Sequence, residues 1–318
     1  MRKTAMAMWM AAALLAACDD SSVPATAAIP PVPVTPPPPV PSEPRLLEYT
    51  VDDPLISESS GLARSQLRDD VLWTLNDSGG ATELYAITTE GQHIATLSIT
   101  GVPANLDWED LASYRNGDTP YLLIGDMGDN SAFRPFITFY RVEEPTLSGG
   151  NGVQMLSATP TGLYNVAYPV GPRDNESLAV DGEENMAYVL SKRDAQPTLY
   201  GFSLAQPLAL SPLMRNLGAI NIPRAPADFV GNPESFNWTT AMDFDDSGTR
   251  AYVGTLSNGY FWERAAGETW AQAFAKVPKS FDLPDYSQIE AGTFIRGRRD
   301  AVFITSEGTP APLARIVP

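Results

Sequence analysis

Carboxylates recur along this chain at positions where a cation or a proton would be handled. Residues 106–112 read LDWEDLA, which sets Asp107, Glu109 and Asp110 around Trp108 just ahead of an apolar step. Taking Leu62, Leu111, Leu178, Met242 and Gly292 as anchors, the residues two before them are Ser60, Glu109, Glu176, Thr240 and Glu290. Fifteen after the same anchors stand Asp77, Asp126, Arg193, Ser257 and Glu307. Carboxylates gathered at ~5 Å repel by about 3 kcal/mol per pair at an effective dielectric of ~20, and raised pKa values, water or a bound cation relieve that cost. Oxygen-only donors at flexible spacing suit Ca2+ better than zinc or copper. The expected metal ligands are Glu109, Asp126, Glu176 and Glu290. The densest donor loop, GDMGDN at 125–130, adds Asp129 and Asn130, and NDSGG at 76–80 offers Asn76 and Asp77. Neither closes with the glutamate of a twelve-residue EF-hand loop. Two plainer roles fit the same residues: Asp and Asn after a strand bond their own turn, and the glutamates can accept amide hydrogens from neighbouring modules.

Nucleophilic catalysis is poorly provided for. His93 is the single histidine, so no Ser–His–Asp relay can form, and no GxSxG elbow, P-loop or dinucleotide glycine motif is present. Lys192 and Arg193, in LSKRD, interrupt the acidic set. They suit either clamping a phosphate or carboxylate beside a metal or pairing with Glu176.

The elements that must position these residues repeat. Five segments align: 59–80, 108–130, 175–194, 239–259 and 289–308, their anchors spaced 49, 67, 64 and 50 apart. Each opens with a short strand, passes a polar turn such as DGEEN or DDSGT, and enters a second strand. Third strands follow at 83–88, 137–142, 198–203 and 259–264, and outer ones at 93–99, 162–168 and 214–220. Such modules read as blades of an all-β propeller, with five blades expected and a sixth accommodated by the two wide spacings. The last module is one strand short, and RLLEYTV at 45–51 is apolar enough to close it. A β-sandwich with long loops is the competing architecture. In a ring of radial blades, strand starts and second-strand ends share one face near the axis. Glu109, Asp110, Glu176, Glu290, Glu307 and the two loops then form one acidic face.

The strings LWTLNDSGG, LYAI, LDWEDLA and YLLIGDMGDN, with ESLAVD, AMDFDDSGTRAYV and FITSEG, resemble a group of exported bacterial propeller proteins of unassigned function. The resemblance spans roughly residues 57–309. More distantly the chain is similar to the TolB-like and calcium-phytase-like propeller superfamily. That likeness implies a propeller, and its phytase branch implies calcium and phosphomonoesterase activity. No phytase-specific motif is matched residue by residue.

The opening residues concern location. Arg2 and Lys3 precede an uncharged apolar run, Ala5 to Ala17, too short to span a bilayer. It ends in LAAC, which resembles a bacterial lipoprotein precursor. The resemblance implies cleavage of residues 1–17 and fatty acylation of Cys18, the only cysteine. Asp19 resembles a signal for inner-membrane retention, facing the periplasm. Residues 21–44 hold ten prolines, so 18–44 reads as a lipidated tether, extended at ~3.1 Å per residue. Setting aside Arg2, Lys3, Asp19, Asp20 and Glu43 leaves residues 45–318 with 19 basic and 35 acidic side chains. That balance excludes nucleic-acid binding and favours cations or a basic partner surface. The chain is expected to be a monomer. Its leading function is a lipid-anchored binding or scaffold module with calcium on its axial face, taking a periplasmic protein or a small-molecule ligand. The alternatives are a metal-dependent hydrolase of a phosphoester or lactone-like substrate, and a purely structural role.

Overall fold

The computed structural model describes residues 45–150, 152–194, 196–205 and 212–318. The expected signal peptide, Cys18 and the proline-rich tether lie outside the described residues.

Short alternating apolar runs, punctuated by Gly, Asp and Asn turns, fold into five sheets, antiparallel but for one added strand. After β1 (Leu46–Val51), the first blade is β2 (Ser59–Arg64), β3 (Val71–Asn76), β4 (Glu83–Thr88) and β5 (His93–Ile99). The second begins with β6 (Trp108–Asn116), β7 (Thr119–Asp126) and β8 (Ile137–Glu143). The chain then departs for β9 (Gln154–Ala158), which pairs in parallel with β5 on the outside of the first blade, before β10 (Gly162–Val166) completes the second. The third blade is β11 (Asn175–Asp181), β12 (Met186–Ser191), β13 (Thr198–Ser203) and β14 (Arg215–Ala219). The fourth holds β15 (Thr239–Phe244), β16 (Arg250–Thr255) and β17 (Asn258–Glu263), then the short helix α1 (Trp270–Phe274) and β18 (Lys279–Asp282). The fifth is β19 (Ile289–Phe294), β20 (Val302–Ser306) and β21 (Ala311–Ile316), with β1 as its outer strand.

The protein is thus a five-bladed propeller. The residues at 45–51 close its ring as expected, from Leu46 opposite Ile316 to Val51 opposite Ala311. Joining the first strand to the last blade removes two open sheet edges at once. The parallel strand β9 and the helix α1 were not foreseen.

A blade buries its faces only against its neighbours, so the core lies between blades. Trp73 and Trp108 pack with Leu84, Leu97 and Ile124 between the first two. Trp262, Trp270 and Phe274 fill the space between the third and fourth, where Trp270 stacks on Phe244 at 3.8 Å. Inner strands β2, β6, β11, β15 and β19 are successive neighbours around the axis. Buried charges tie them. Asp110 on β6 accepts the backbone N–H of Leu178 on β11 at 2.7 Å. Arg64 on β2 pairs with Asp243 on β15, and that carboxylate also accepts the Phe294 N–H on β19 at 2.9 Å.

Candidate functional site: an acidic mouth on the propeller axis

One irregularity recurs in every blade. The pairing of inner strand with second strand slips by one residue at Ser59/Gly61, Trp108/Asp110, Asn175/Ser177, Thr239/Ala241 and Ile289/Ala291. Each slip is a β-bulge, and the unpaired residues are Ser60, Glu109, Glu176, Thr240 and Glu290. A bulge re-aims the extra side chain. Five bulges at one level present two hydroxyls and three carboxylates at the same end of the axis. All five residues are buried.

A second tier comes from the ends of the second strands. Asp77, Met127, Lys192 and Glu307 donate their N–H to the carbonyls of Glu58, Asp107, Asp174 and Gln288, each two residues before a bulge. This tier corrects the uniform fifteen-residue offset. Leu62 lies across from Thr74, Leu111 from Ile124 and Leu178 from Val189, so the hairpin turns differ by one residue. The offset is therefore right for Asp77 and Glu307 but one short at Asp126 and one long at Arg193. Lys192 occupies the place of Arg193.

The bulges bring two carboxylate groups together. Oxygens of Asp77, Asp107 and Glu109 lie within 4.8 Å of one another, as do those of Glu109, Asp174 and Glu176. Gly128 makes room for the first: a Cβ there would collide with Glu109 Oε1 and the Asp107 carboxylate. The two groups differ in compensation. Lys192 Nζ contacts Glu176 and stands 3.9 Å from Glu290, and Arg193 Nε donates to Asp174 at 2.6 Å. No ion pair reaches Asp77, Asp107 or Glu109 among the described residues. Among the described residues the only hydrogen bond to the Glu109 carboxylate is a long one, 3.5 Å from Ser60 Oγ.

Burial disfavours the ionised forms here. Burial and the charge of Asp77 push Asp107 up to about 6. Burial also raises Glu109 well above the ordinary carboxylate range, with Glu176 and Asp77 adding to it. Burial lifts Glu176 to about 7 even against the Lys192 ammonium, and lifts Glu290 to about 8 with help from Glu176. Oxygen donors crowded in this way suit a hard divalent cation such as Ca2+, which six to eight oxygens surround.

The remaining expected residues are placed as follows. Asn76 ties the loop before β2, accepting the Glu58 N–H at 3.2 Å and donating to Leu55 O at 2.7 Å. Asp110 is the fully buried strut between inner strands described above. Asp126, opposite Trp108 in the ladder, belongs to neither group of three carboxylates and takes Arg134 Nη2 at 2.7 Å. Asp129 caps its own loop through the N–H groups of Phe133 and Arg134. Asn130 accepts from Arg193, whose guanidinium lies 4.6 Å from the Trp238 ring. Glu307 accepts from Gln288 Nε2 at 2.5 Å. Asp107 and Asp174 were not among the expected ligands. Their signal was their place two residues before Glu109 and Glu176, since alternate strand residues share a side.

At the opposite end of the axis a cavity of about 660 Å³ is lined by Arg64, Asp181, Asp245, Asp246 and Arg296 among others. Each of these five is ion-paired within the protein.

No known sequence family matches the chain. No curated protein matches it either. Among solved structures, one chain from the crystal structure of a nidogen/laminin complex is similar at 12% identity, covering 79% of this chain and 73% of that one with a TM-score of 0.40. At that level nothing about function passes from it. What the fold and the mouth define by themselves is a five-bladed propeller with acidic clusters able to bind a divalent cation.

Proposed function

We propose that this protein is an exported, lipid-anchored binding propeller that holds Ca2+ at Asp77, Asp107 and Glu109. A periplasmic partner or small ligand would complete the coordination of that ion from the open side. The carrying observation is a group of three carboxylates within 4.8 Å of one another, none of which is held in an ion pair by a basic side chain of the described residues. Bringing them together costs free energy that a divalent cation returns, and Asp107 is half-exposed, leaving an entrance from solvent.

Location rests on the LAAC sequence at Cys18 and on the proline-rich stretch behind it. Among the described residues no helix is long and apolar enough to cross a membrane, so attachment falls to the lipid in this reading. Substituting Cys18→Ala should move the protein from the membrane fraction to the aqueous one. Retention in the membrane fraction would overturn the anchor.

Isothermal titration of calcium chloride into chelator-treated protein tests the site. Saturable binding with a calcium-dependent rise in melting temperature is expected. No heat and no shift at millimolar calcium would refute it. The hydrolase alternative asks Lys192 or Arg193 to clamp a substrate anion, and both are engaged with carboxylates.

A further inference from the structure

Two of the three bulge glutamates, Glu176 and Glu290, already share a cation, and the chain supplies it. Lys192 follows directly on β12, at the tier where the other blades place Asp77, Met127 and Glu307. Its ammonium contacts Glu176 and lies 3.9 Å from Glu290, while the Trp238 ring stands 5.7 Å away. The residue is only 5% exposed. A lysine so deeply buried is stable only when its charge is matched, and here it is matched by groups from the third and fifth blades.

Glu109 lies between this arrangement and the neighbouring group. It belongs to both sets of three carboxylates, it is 3% exposed, and its Oε1 makes no hydrogen bond among the described residues. That oxygen and the Asp107 carboxylate both crowd the space beside Gly128. The mouth is therefore divided. One half is filled by an ammonium held on a four-carbon stem, and the other is open to an ion from solution.

We propose that Lys192 is a tethered counter-cation occupying the axial position among Glu109, Glu176 and Glu290. The mouth accordingly takes one Ca2+, at Asp77, Asp107 and Glu109, and a second only when the ammonium is removed. This rests on the cation-binding reading above and adds a stoichiometry to it. The physical argument is competition. A tethered ammonium loses no translational freedom on binding, so it holds the position at an effective concentration that free calcium must exceed. It also brings a single charge where calcium would bring two, leaving the ring net negative and the adjacent ion attracted. With the ammonium gone, Glu176 and Glu290 stand without a cation, and Glu109 can bridge two calcium ions through its two oxygens.

Calcium chloride titrated into the full chain counts the sites. The wild-type protein is expected to bind one calcium. Lys192→Met is expected to bind two, Lys192→Arg, which keeps a cation in place, one, and Lys192→Met with Glu176→Gln one again. Near-ultraviolet circular dichroism checks each fold, and Lys192→Gln serves should the methionine variant not fold. A count that stays at one in both neutral variants overturns the proposal while leaving the first site intact, and so does a count of two in the wild type. No binding by the wild type overturns both the cation reading and this inference.

Discussion

Replacing Asp107 with asparagine separates a metal site from a chance gathering of acids, because the two accounts differ in sign. The Asp107 carboxylate makes no hydrogen bond or ion pair among the described residues, so Asp107→Asn keeps shape and removes only charge. It lies within 4.8 Å of the oxygens of Asp77 and Glu109. At an effective dielectric of ~20, each like-charged pair at that distance costs about 3.5 kcal/mol. Without calcium the variant should be the more stable protein. Solvent screening at a half-exposed group cuts that gain to about 1 kcal/mol or less. With calcium the order reverses. Losing one charged ligand to a divalent ion weakens binding by roughly 100-fold, about 2.7 kcal/mol. The assay is thermal melting with calcium and with chelator. At a hundredfold excess over Kd, calcium adds about 2.7 kcal/mol to the wild type, or about 5–10 °C for a domain of this size. Asp107→Asn should melt slightly above the wild type in chelator and show almost no calcium response. An undiminished response would refute the assignment of Asp107, and a lower melting temperature in chelator would refute the repulsion argument.

Three further outcomes follow from the structure. Burial raises Asp107 to about 6, Glu176 to about 7 and Glu290 to about 8, so the folded state holds protons that the unfolded chain releases near 4 to 4.5. Their contribution to stability is complete below the unfolded values and lost as pH rises through the folded ones. Melting temperature in chelator should accordingly fall between pH 5 and 8, and calcium should flatten that slope; a rising profile would contradict the shifts. Glu144 accepts the Gln66 N–H at 2.8 Å and Trp73 Nε1 at 3.0 Å, linking the second blade to the first. Glu144→Ala leaves both donors buried and unpaired and should cost about 3 kcal/mol by urea denaturation, where a loss under about 1 kcal/mol would show that water replaces it. Gly91 has φ +89°, and a Cβ there would strike the Thr50 carbonyl. Gly91→Ala should lower amide protection in β1 before the other blades, and uniform protection would show that the seam is not its weak point.

The blades were legible because hairpins announce themselves locally. Short polar turns, such as DGEEN and DDSGT, and alternating apolar residues mark the strand pairs, and an unpartnered apolar strand at 45–51 answers a module with one strand too few. Glu109, Glu176 and Glu290 were legible for the same reason, each standing two residues before an anchor. What stayed hidden depends on distance or on single-residue slips. A turn longer or shorter by one residue exchanges Met127 for Asp126 and Lys192 for Arg193. Asp126 meets Arg134 eight positions on, and Asp174 meets Arg193 from the next strand, pairings that periodicity does not encode. The route of β9 to a neighbouring blade is likewise set by packing, since its sequence suits either edge.

The closing seam imposes an order on synthesis. β1 is the first strand of the propeller to be made, yet its partner β21 is the last, and Val317 donates its N–H to Arg45 at 2.8 Å once they meet. Until then the earliest strand has an unfilled edge and the first and fifth blades each lack a neighbour. Circularisation is thus a single late event that depends on nearly the whole polypeptide having emerged, and truncation within the fifth blade would strand the leading segment along with the missing one.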